Sequence, residues 1–136
     1  MVQDKKLNLL KVALIIFAIV AIVYGIGNVF FPEALVEMSG GDPVHPSWLR
    51  WPGCVLITLG FGAIMVFRNP AKQDIFVMVI ASGTLLSGLA LLYTLIFEMQ
   101  PQNAVWFTAM PVIILLVNSA LLWLGRKQAT EILKQE

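Results

Sequence analysis

Four long runs of residues without a charged side chain divide this chain of 136 residues. An α-helix needs about 20 apolar residues to cross the roughly 30 Å hydrocarbon core of a bilayer. The runs are rich in leucine, isoleucine, valine and phenylalanine, and they lack the in-and-out alternation of a membrane β-strand. The pattern therefore predicts four transmembrane helices. The runs hold 21, 17, 23 and 27 residues and lie between Lys11 and Glu33, Arg50 and Arg68, Asp74 and Glu98, and Glu98 and Arg126.

The composition supports a membrane protein and excludes several other classes. Hydrophobic residues make up 59% of the chain and charged residues 12%, whereas about a quarter of a typical soluble domain is charged. Basic and acidic residues nearly balance, at 9 and 8, which argues against a nucleic-acid binder with a basic face. A single cysteine excludes a disulfide-stapled secreted domain, and so apolar a sequence excludes a disordered protein.

We predict an all-α, polytopic membrane protein with one integral membrane domain over residues 1–136. The connections at 68–73 and 100–103 are short, so they favour an up-down-up-down bundle of four transmembrane helices in which sequential helices pack together. The first run is too long for the apolar core of a signal peptide, and we interpret it as a retained helix. The predicted helices cover about residues 8–32, 48–67, 74–97 and 104–125, with an outer loop at 33–47.

The positive-inside rule predicts the orientation. Eight of the nine basic residues fall before the first helix, between the second and third, or after the fourth, and Arg50 alone falls on the other side. Both termini are therefore predicted to be cytoplasmic, in a multi-pass protein of the cell membrane, most simply a prokaryotic inner membrane. The basic stretch after Arg126 is expected to anchor at the anionic inner surface, in a pattern compatible with a continued fourth helix.

The outer loop has room for structure of its own. Pro32 suits a first helical turn, and Gly40 and Gly41 form a stop, so the loop is predicted to hold a short interfacial helix. Ser47 is expected to be the N-cap of the second transmembrane helix. The segment is interpreted either as an ordered interfacial loop or as a lid over a site in the outer half of the bundle.

Small residues mark the faces through which the helices are expected to pack, because lipid offers no hydrophobic drive for helix association. Gly53 and Gly60 share one face of the second helix, and Gly83 and Ser87 share one face of the third. These four residues are predicted to mediate helix packing, either within the chain or between subunits.

One polar cluster near the outer end is predicted to bind a ligand, because its members should lie at the same depth in the membrane. The planar guanidinium of Arg50 suits an acidic or quinone-like head group. Alternatively, Arg50 is an interfacial anchor that pairs with Glu33, Glu98 or a lipid phosphate. The candidate ligand-binding residues are Arg50, Tyr24, Asn28, Glu33 and Tyr93.

No catalytic or metal-binding constellation is visible in the sequence. His45 is the only histidine, so this chain alone cannot supply bis-histidine haem ligation or a histidine-cysteine zinc cluster. Cys54 stands alone in an apolar run, and the absence of carboxylates within the four runs disfavours a proton relay. We predict no enzyme activity, no catalytic residue, no metal, and no cofactor beyond a bound lipid or quinone.

Several short motifs fall between about residues 20 and 97. They are Tyr24-Gly25-x-Gly27 leading to Phe31-Pro32-Glu33, then Trp48-x-Arg50-x-x-Gly53, then Gly60 and Arg68-Asn69-Pro70. This pattern resembles small bacterial four-helix membrane proteins of the broad DoxX-like kind, although the fourth helix has no matching element. The resemblance implies a four-helix bundle with Arg50 facing inward and an association with a partner or a quinone.

Three functions are left open by the sequence. The first is a small non-enzymatic subunit or interaction partner in a larger membrane assembly. The second is a lipid- or quinone-binding redox accessory protein that uses an outer-leaflet pocket around Arg50. The third is an oligomeric small-solute channel or transporter, for which Thr84, Ser87, Asn118 and Ser119 supply a thin polar stripe. Expected partners are membrane lipids and a protein partner or a second copy, with no nucleic acid.

Overall fold

A computed structural model describes residues 2–133 of the chain. Within that range the regular structure is entirely helical. Four helices are long and apolar enough to cross a membrane, which confirms the predicted all-α fold with four candidate spans. The helices are α1 (Val2–Phe30), α2 (Pro32–Ser39), α3 (Ser47–Phe67), α4 (Asp74–Phe97) and α5 (Val105–Leu133), with a 3-10 turn at Pro70–Lys72.

The helix boundaries differ from the predicted ones mainly towards the two ends of the chain. α1 covers Val2–Phe30 instead of 8–32, and α5 ends at Leu133 instead of 125. Uncharged runs mark only the part of a helix that can lie in hydrocarbon, whereas a helix continues for as long as its backbone hydrogen bonds do. Lys134, part of the predicted basic anchor, lies outside the described residues.

The outer loop contains the predicted short helix, but Ser47 does not cap α3. Pro32 occupies the first turn of α2, and Gly40 ends the helix with a left-handed φ of +66°. Pro46 takes the N-cap position of α3 without a side-chain cap hydrogen bond, and Ser47 is the first helical residue. The Ser47 hydroxyl lies 2.8 Å from Nδ1 of His45 instead. The capping prediction was therefore wrong, because this hydroxyl is engaged with the preceding turn.

The four spans pack in the spatial order α3, α1, α5, α4. α1 lies against both α3 and α5, and α4 packs mainly on α5. α3 and α4 share few contacts although a short connection joins them, so the expectation that all sequential helices pack together was wrong for this pair. Near the connection they do meet, since a Cβ built on Gly62 would lie 2.5 Å from Cζ of Phe76. A short connection thus fixes one end of a helix pair and leaves the other end to side-chain packing.

We call the end of the bundle with Leu10, Asp74 and Arg126 the inner end and the opposite one the outer end. The buried core lies towards the inner end, while few side chains of the outer half are buried. A Cβ on Gly125 would lie 2.8 Å from the backbone nitrogen of Leu10, so α5 and α1 nearly touch there. Core residues of this inner half include Leu10, Ala13, Leu14, Val66, Val77, Ala81, Leu122 and Ala129.

α1 and α3 approach each other closely through glycines. A Cβ on Gly53 would lie 2.9 Å from both the Gly25 carbonyl oxygen and the Asn28 Cβ. A Cβ on Gly60 would lie 2.6 Å from Cγ1 of Ile22. Atoms this close would repel strongly, so the two backbones reach this separation only because these positions have no side chain.

α4 and α5 pack through a different glycine from the predicted one. A Cβ on Gly83 would have no atom within 4 Å, and Ser87 is exposed, so this pair does not mediate packing within the chain. Gly88 faces α5 instead, where a Cβ would lie 2.7 Å from Cδ2 of Leu116. One residue corresponds to a rotation of about 100° around a helix, so neighbouring small residues lie on different faces.

Buried polar side chains lie within the α4 and α5 spans. The Ser119 hydroxyl donates to the Ala81 carbonyl oxygen at 2.9 Å and so links the two helices. The Thr84 hydroxyl donates to the carbonyl oxygens of Ile80 and Ala81, at 2.9 and 3.0 Å. Asn118 is only 3% exposed, and its side-chain oxygen has no hydrogen-bond partner among the described residues. An unsatisfied buried acceptor costs about 1–3 kcal/mol of stability.

The glycine contact between α1 and α3 predicts that Gly53→Ala destabilises the protein by about 1–3 kcal/mol, because the added methyl group must push the helices apart. Gly83→Ala is the matched control and should leave stability unchanged or raise it by up to about 1 kcal/mol, since alanine is the better helix former. Thermal unfolding in detergent, followed by tryptophan fluorescence, measures both. Equal destabilisation by the two variants would contradict the packing assignment.

The unsatisfied side-chain oxygen of Asn118 predicts that Asn118→Leu raises Tm, because leucine keeps the branching of the side chain and removes the unsatisfied polar group. Ser119→Ala should lower stability by about 0.6 kcal/mol, the average for an interhelical hydrogen bond in a membrane. The same unfolding assay reports both changes. A lower Tm for Asn118→Leu would show that the amide is bonded in the membrane.

Candidate functional site

An apolar crevice of about 210 Å³ opens in the outer half of the bundle, between α3 and α4. All four spans contribute to its wall, and we call it the outer crevice. Tyr24 and Ser87 are the polar side chains among its lining residues. The lining residues are Phe17, Val20, Ala21 and Tyr24 of α1, Leu56 of α3, Ser87 and Leu91 of α4, and Pro111 and Leu115 of α5.

A second apolar cavity, of about 180 Å³, lies beneath α2. α2 places Leu35 and Met38 over a groove whose other walls come from α1 and α5, and we call this space the lid cavity. Gly27 leaves room for the Leu35 side chain, because a Cβ there would lie 3.2 Å from Cδ1 of Leu35. The remaining lining residues are Val23 and Tyr24 of α1, and Trp106, Phe107 and Met110 of α5.

Two hydrogen bonds fasten the end of α2 to the connection that precedes α5. The backbone N–H of Ala104 donates to the Ser39 carbonyl oxygen at 2.9 Å. Nδ2 of Asn103 donates to the Gly40 carbonyl oxygen, also at 2.9 Å. Gly40 is required for this arrangement because its φ of +66° disfavours other residues and because a Cβ there would collide with the Gln102 carbonyl group. An ordered segment therefore covers one side of the lid cavity.

Tyr24 lines both the outer crevice and the lid cavity, and its side chain is half-buried. The ring offers a large apolar surface to either space, and its hydroxyl is both a donor and an acceptor of hydrogen bonds. Tyr24 is thus the predicted ligand-binding residue that the structure places best for contact with a molecule in the outer half.

The structure does not bring the other predicted ligand-binding residues to these cavities. Arg50, Glu33 and Tyr93 are exposed and line neither cavity. Asn28 is half-buried, and its Cβ lies against Gly53 of α3. The sequence pattern predicts a depth in the membrane, but it does not predict which side of its helix a residue occupies. The cluster around Arg50 is therefore not assembled as we expected.

The anchor interpretation of Arg50 also lacks its expected partner. In the described part of the chain, Arg50 forms no ion pair with Glu33 or Glu98. The Glu98 carboxylate accepts a hydrogen bond from the Thr94 hydroxyl at 2.9 Å instead. A contact between Arg50 and lipid phosphate stays a prediction.

An ion pair at the inner end was missed by the sequence analysis. Nε of Arg126 donates to Oδ1 of Asp74 at 2.6 Å, and Nη2 donates to Oδ2 at 2.8 Å. The pair joins the first turn of α4 to the later turns of α5 and is the only ion pair among residues 8–70 and 72–131, whose side chains the structure describes. A signal did exist, since the two residues have opposite charges and border uncharged runs on the same predicted side of the membrane.

The fold and cavities define an all-helical protein with four candidate membrane spans and an apolar site in its outer half. No family model, curated protein or solved structure matches the chain. The candidate site therefore rests on geometry.

The lid contacts predict that Gly40→Ala speeds hydrogen exchange of the α2 amides. Alanine disfavours the left-handed turn, and its Cβ would collide with Gln102 in the connection between α4 and α5. Gly41→Ala is the matched control, since a Cβ there would meet only the Ser39 hydroxyl, at 3.1 Å. Hydrogen exchange read by mass spectrometry over Pro32–Ser39 compares the two variants. Unchanged exchange in Gly40→Ala would contradict a fastened lid.

Proposed function

We propose that the protein is a non-enzymatic membrane protein that binds the apolar chain of an amphipathic membrane molecule in the outer crevice. The observation that carries this proposal is the gap between α3 and α4, which is walled by all four spans. A gap between two neighbouring spans gives a ligand a sideways route from the bilayer. A long apolar molecule with an oxygen-bearing head, such as a lipid or a quinone, suits such a wall.

Apolar contact alone does not select a ligand at this site. Lipid tails are as apolar as leucine, so a chain that moves from the bilayer into the crevice gains packing but no hydrophobic transfer. A hydrogen bond in apolar surroundings does discriminate, because the unbonded alternative leaves a polar group unsatisfied. We therefore assign head-group recognition to the Tyr24 hydroxyl, with Ser87 as a second hydroxyl in the same wall. Tyr24 takes the central role that the sequence suggested for Arg50.

Tyr24→Phe should reduce ligand retention by about five- to ten-fold, the effect of losing one hydrogen bond of about 1–1.5 kcal/mol. The substitution keeps the ring and removes only the hydroxyl. Native mass spectrometry of protein extracted in mild detergent measures the retained lipid or quinone by its mass. Tyr93→Phe is the matched control, because Tyr93 is exposed and lines neither cavity.

Filling the crevice tests the proposal without changing Tyr24. Ser87→Leu adds an apolar side chain to the wall and should expel the same adduct. Gly83→Leu should not, because Gly83 lies one turn nearer the inner end, does not line the crevice and has no atom within 4 Å of an added Cβ. Wild-type protein that carries neither lipid nor quinone would contradict the proposal, as would equal retention in all the variants. The mass of the adduct distinguishes the two ligand classes.

A second candidate function is a small subunit or interaction partner in a larger membrane assembly. The outward face of α4 favours it, because Gly83 is open and both Ser87 and Ala90 are exposed. Small residues at this spacing allow another helix to approach closely. A tag at the C-terminus should co-purify a partner from native membranes, and Gly83→Ile should release it. Recovery of a clean monomer in mild detergent would contradict this function.

The remaining expectations stay predictions. The hydroxyls of Thr84 and Ser119 are buried and bond to backbone carbonyls, so they do not favour a channel, which a flux assay in liposomes would test. Cytoplasmic termini, an up-down-up-down course and a prokaryotic inner membrane follow from the positive-inside rule and short connections. Membership of the DoxX-like proteins depends on the motifs alone.

A further inference from the structure

A third cavity, of about 210 Å³, lies at the inner end beside the Arg126 ion pair. We call it the inner cavity. Leu10 and Val77 give it apolar walls, whereas Asp74, Arg126 and Thr130 give it polar ones. It is thus a space with an apolar side and a charged side, close to where the spans leave the hydrocarbon.

The guanidinium group of Arg126 is held in place but keeps free donors. Nε and Nη2 donate to Asp74 at 2.6 and 2.8 Å, and Cζ lies 5.6 Å from the ring centroid of Trp123. A guanidinium has five N–H donors, so three remain beyond this pair, and two of them lie on the edge between the two Nη atoms. The side chain is 28% exposed and lines the inner cavity, so a ligand in the cavity can reach the guanidinium.

The charge at this end favours an anion. Lys11 directly follows the cavity residue Leu10, and Lys72 lies two residues from both Pro70 and Asp74, which also line the cavity. Asp74 balances Arg126, and these two lysines leave an excess of positive charge even when the exposed Glu131 is counted. Basic pockets between helix ends at a membrane surface bind lipid head groups.

We propose that the inner cavity binds a phosphate group through the free Nη edge of Arg126, and that an anionic phospholipid of the adjoining leaflet presents it. The planar edge can donate two parallel hydrogen bonds to phosphate oxygens. Leu10 and Val77 offer the first methylenes of the lipid an apolar wall. Asp74 is a positioning residue, because it holds the guanidinium from the Nε side. This site is independent of the outer crevice.

The test uses Trp123 as a reporter beside Arg126. In full-length protein with Trp48, Trp51 and Trp106 replaced by phenylalanine, bromine on lipid acyl chains quenches the remaining tryptophan when that lipid is bound nearby. The vesicles are phosphatidylcholine with added brominated phosphatidylglycerol. The anionic lipid should be preferred over phosphatidylcholine by about five-fold, equivalent to about 1 kcal/mol for one basic residue at an anionic surface. A preference near one in this protein would overturn the proposal.

Two variants separate a specific site from general surface charge. Arg126→Gln should bring the preference close to one, whereas Lys127→Gln, the matched control with the same change in charge, should leave it nearly unchanged. An equal loss in both variants would overturn the proposal in favour of diffuse attraction, and so would an unchanged preference in Arg126→Gln.

A third variant covers the case in which Arg126→Gln does not fold. Asp74→Asn removes the counter-charge but keeps one side-chain oxygen that can still accept from the guanidinium and hold it in place. The preference should therefore persist or increase, and its loss would overturn the proposal. Inorganic phosphate identifies the source of the ligand. The preference for phosphatidylglycerol is measured in phosphate buffer and in chloride of equal ionic strength. If it persists in phosphate, the lipid head group is the ligand. If it is lost in phosphate but not in chloride, the phosphate site is supported and the lipid is overturned as its occupant.

Discussion

The close approach of α1 and α3 at Gly25 and Gly53 determines how the remaining helices are arranged. In lipid, helices associate through close packing and hydrogen bonds, because the bilayer supplies no hydrophobic drive. The glycine contact commits one face of α1 to α3, and the contact between Gly125 and Leu10 brings α5 against α1 as well. α4 then packs mainly on α5, through Gly88 and the Ser119 hydrogen bond. The outer crevice is a consequence of this order. α3 and α4 stand at the two ends of it, and they share few contacts beyond those near their short connection.

The bundle is packed unevenly along its length. The inner end has the buried core, the contact between Gly62 and Phe76, and the Arg126 ion pair. The outer half has the crevice and the lid cavity. A short helix covers one side of the lid cavity and is tied by two hydrogen bonds to the connection between α4 and α5. Regions with few buried contacts open at the lowest free-energy cost. A site that must admit a molecule from the bilayer is therefore expected at the outer end, where the packing is loose.

The sequence predicted the spans well because the position of a charge along the chain sets its depth in a membrane. It predicted helix partners less well, because depth carries no information on rotation about the helix axis. Gly53 and Gly83 belong to similar small-residue patterns, yet one is enclosed by α1 and the other is open. Likewise, the sequence predicts one depth for Tyr24 and Arg50, but only Tyr24 lines the cavities. The ion pair of Arg126 with Asp74 could have been predicted from the sequence. The two residues have opposite charges at the same predicted depth, so they can meet wherever their helices are neighbours.

The outer crevice and the inner cavity place different physical demands on a ligand. In the outer crevice the surroundings of a bound chain resemble the bilayer it left, so discrimination must come from the few polar groups, chiefly the Tyr24 hydroxyl. At the inner cavity water and lipid head groups compete, and an isolated surface charge would be screened. A bidentate contact with Asp74 reduces the freedom of the Arg126 side chain before any ligand arrives, which lowers the entropy cost of binding. The carboxylate therefore has a role besides neutralising the arginine: it fixes the orientation in which the remaining N–H groups are presented.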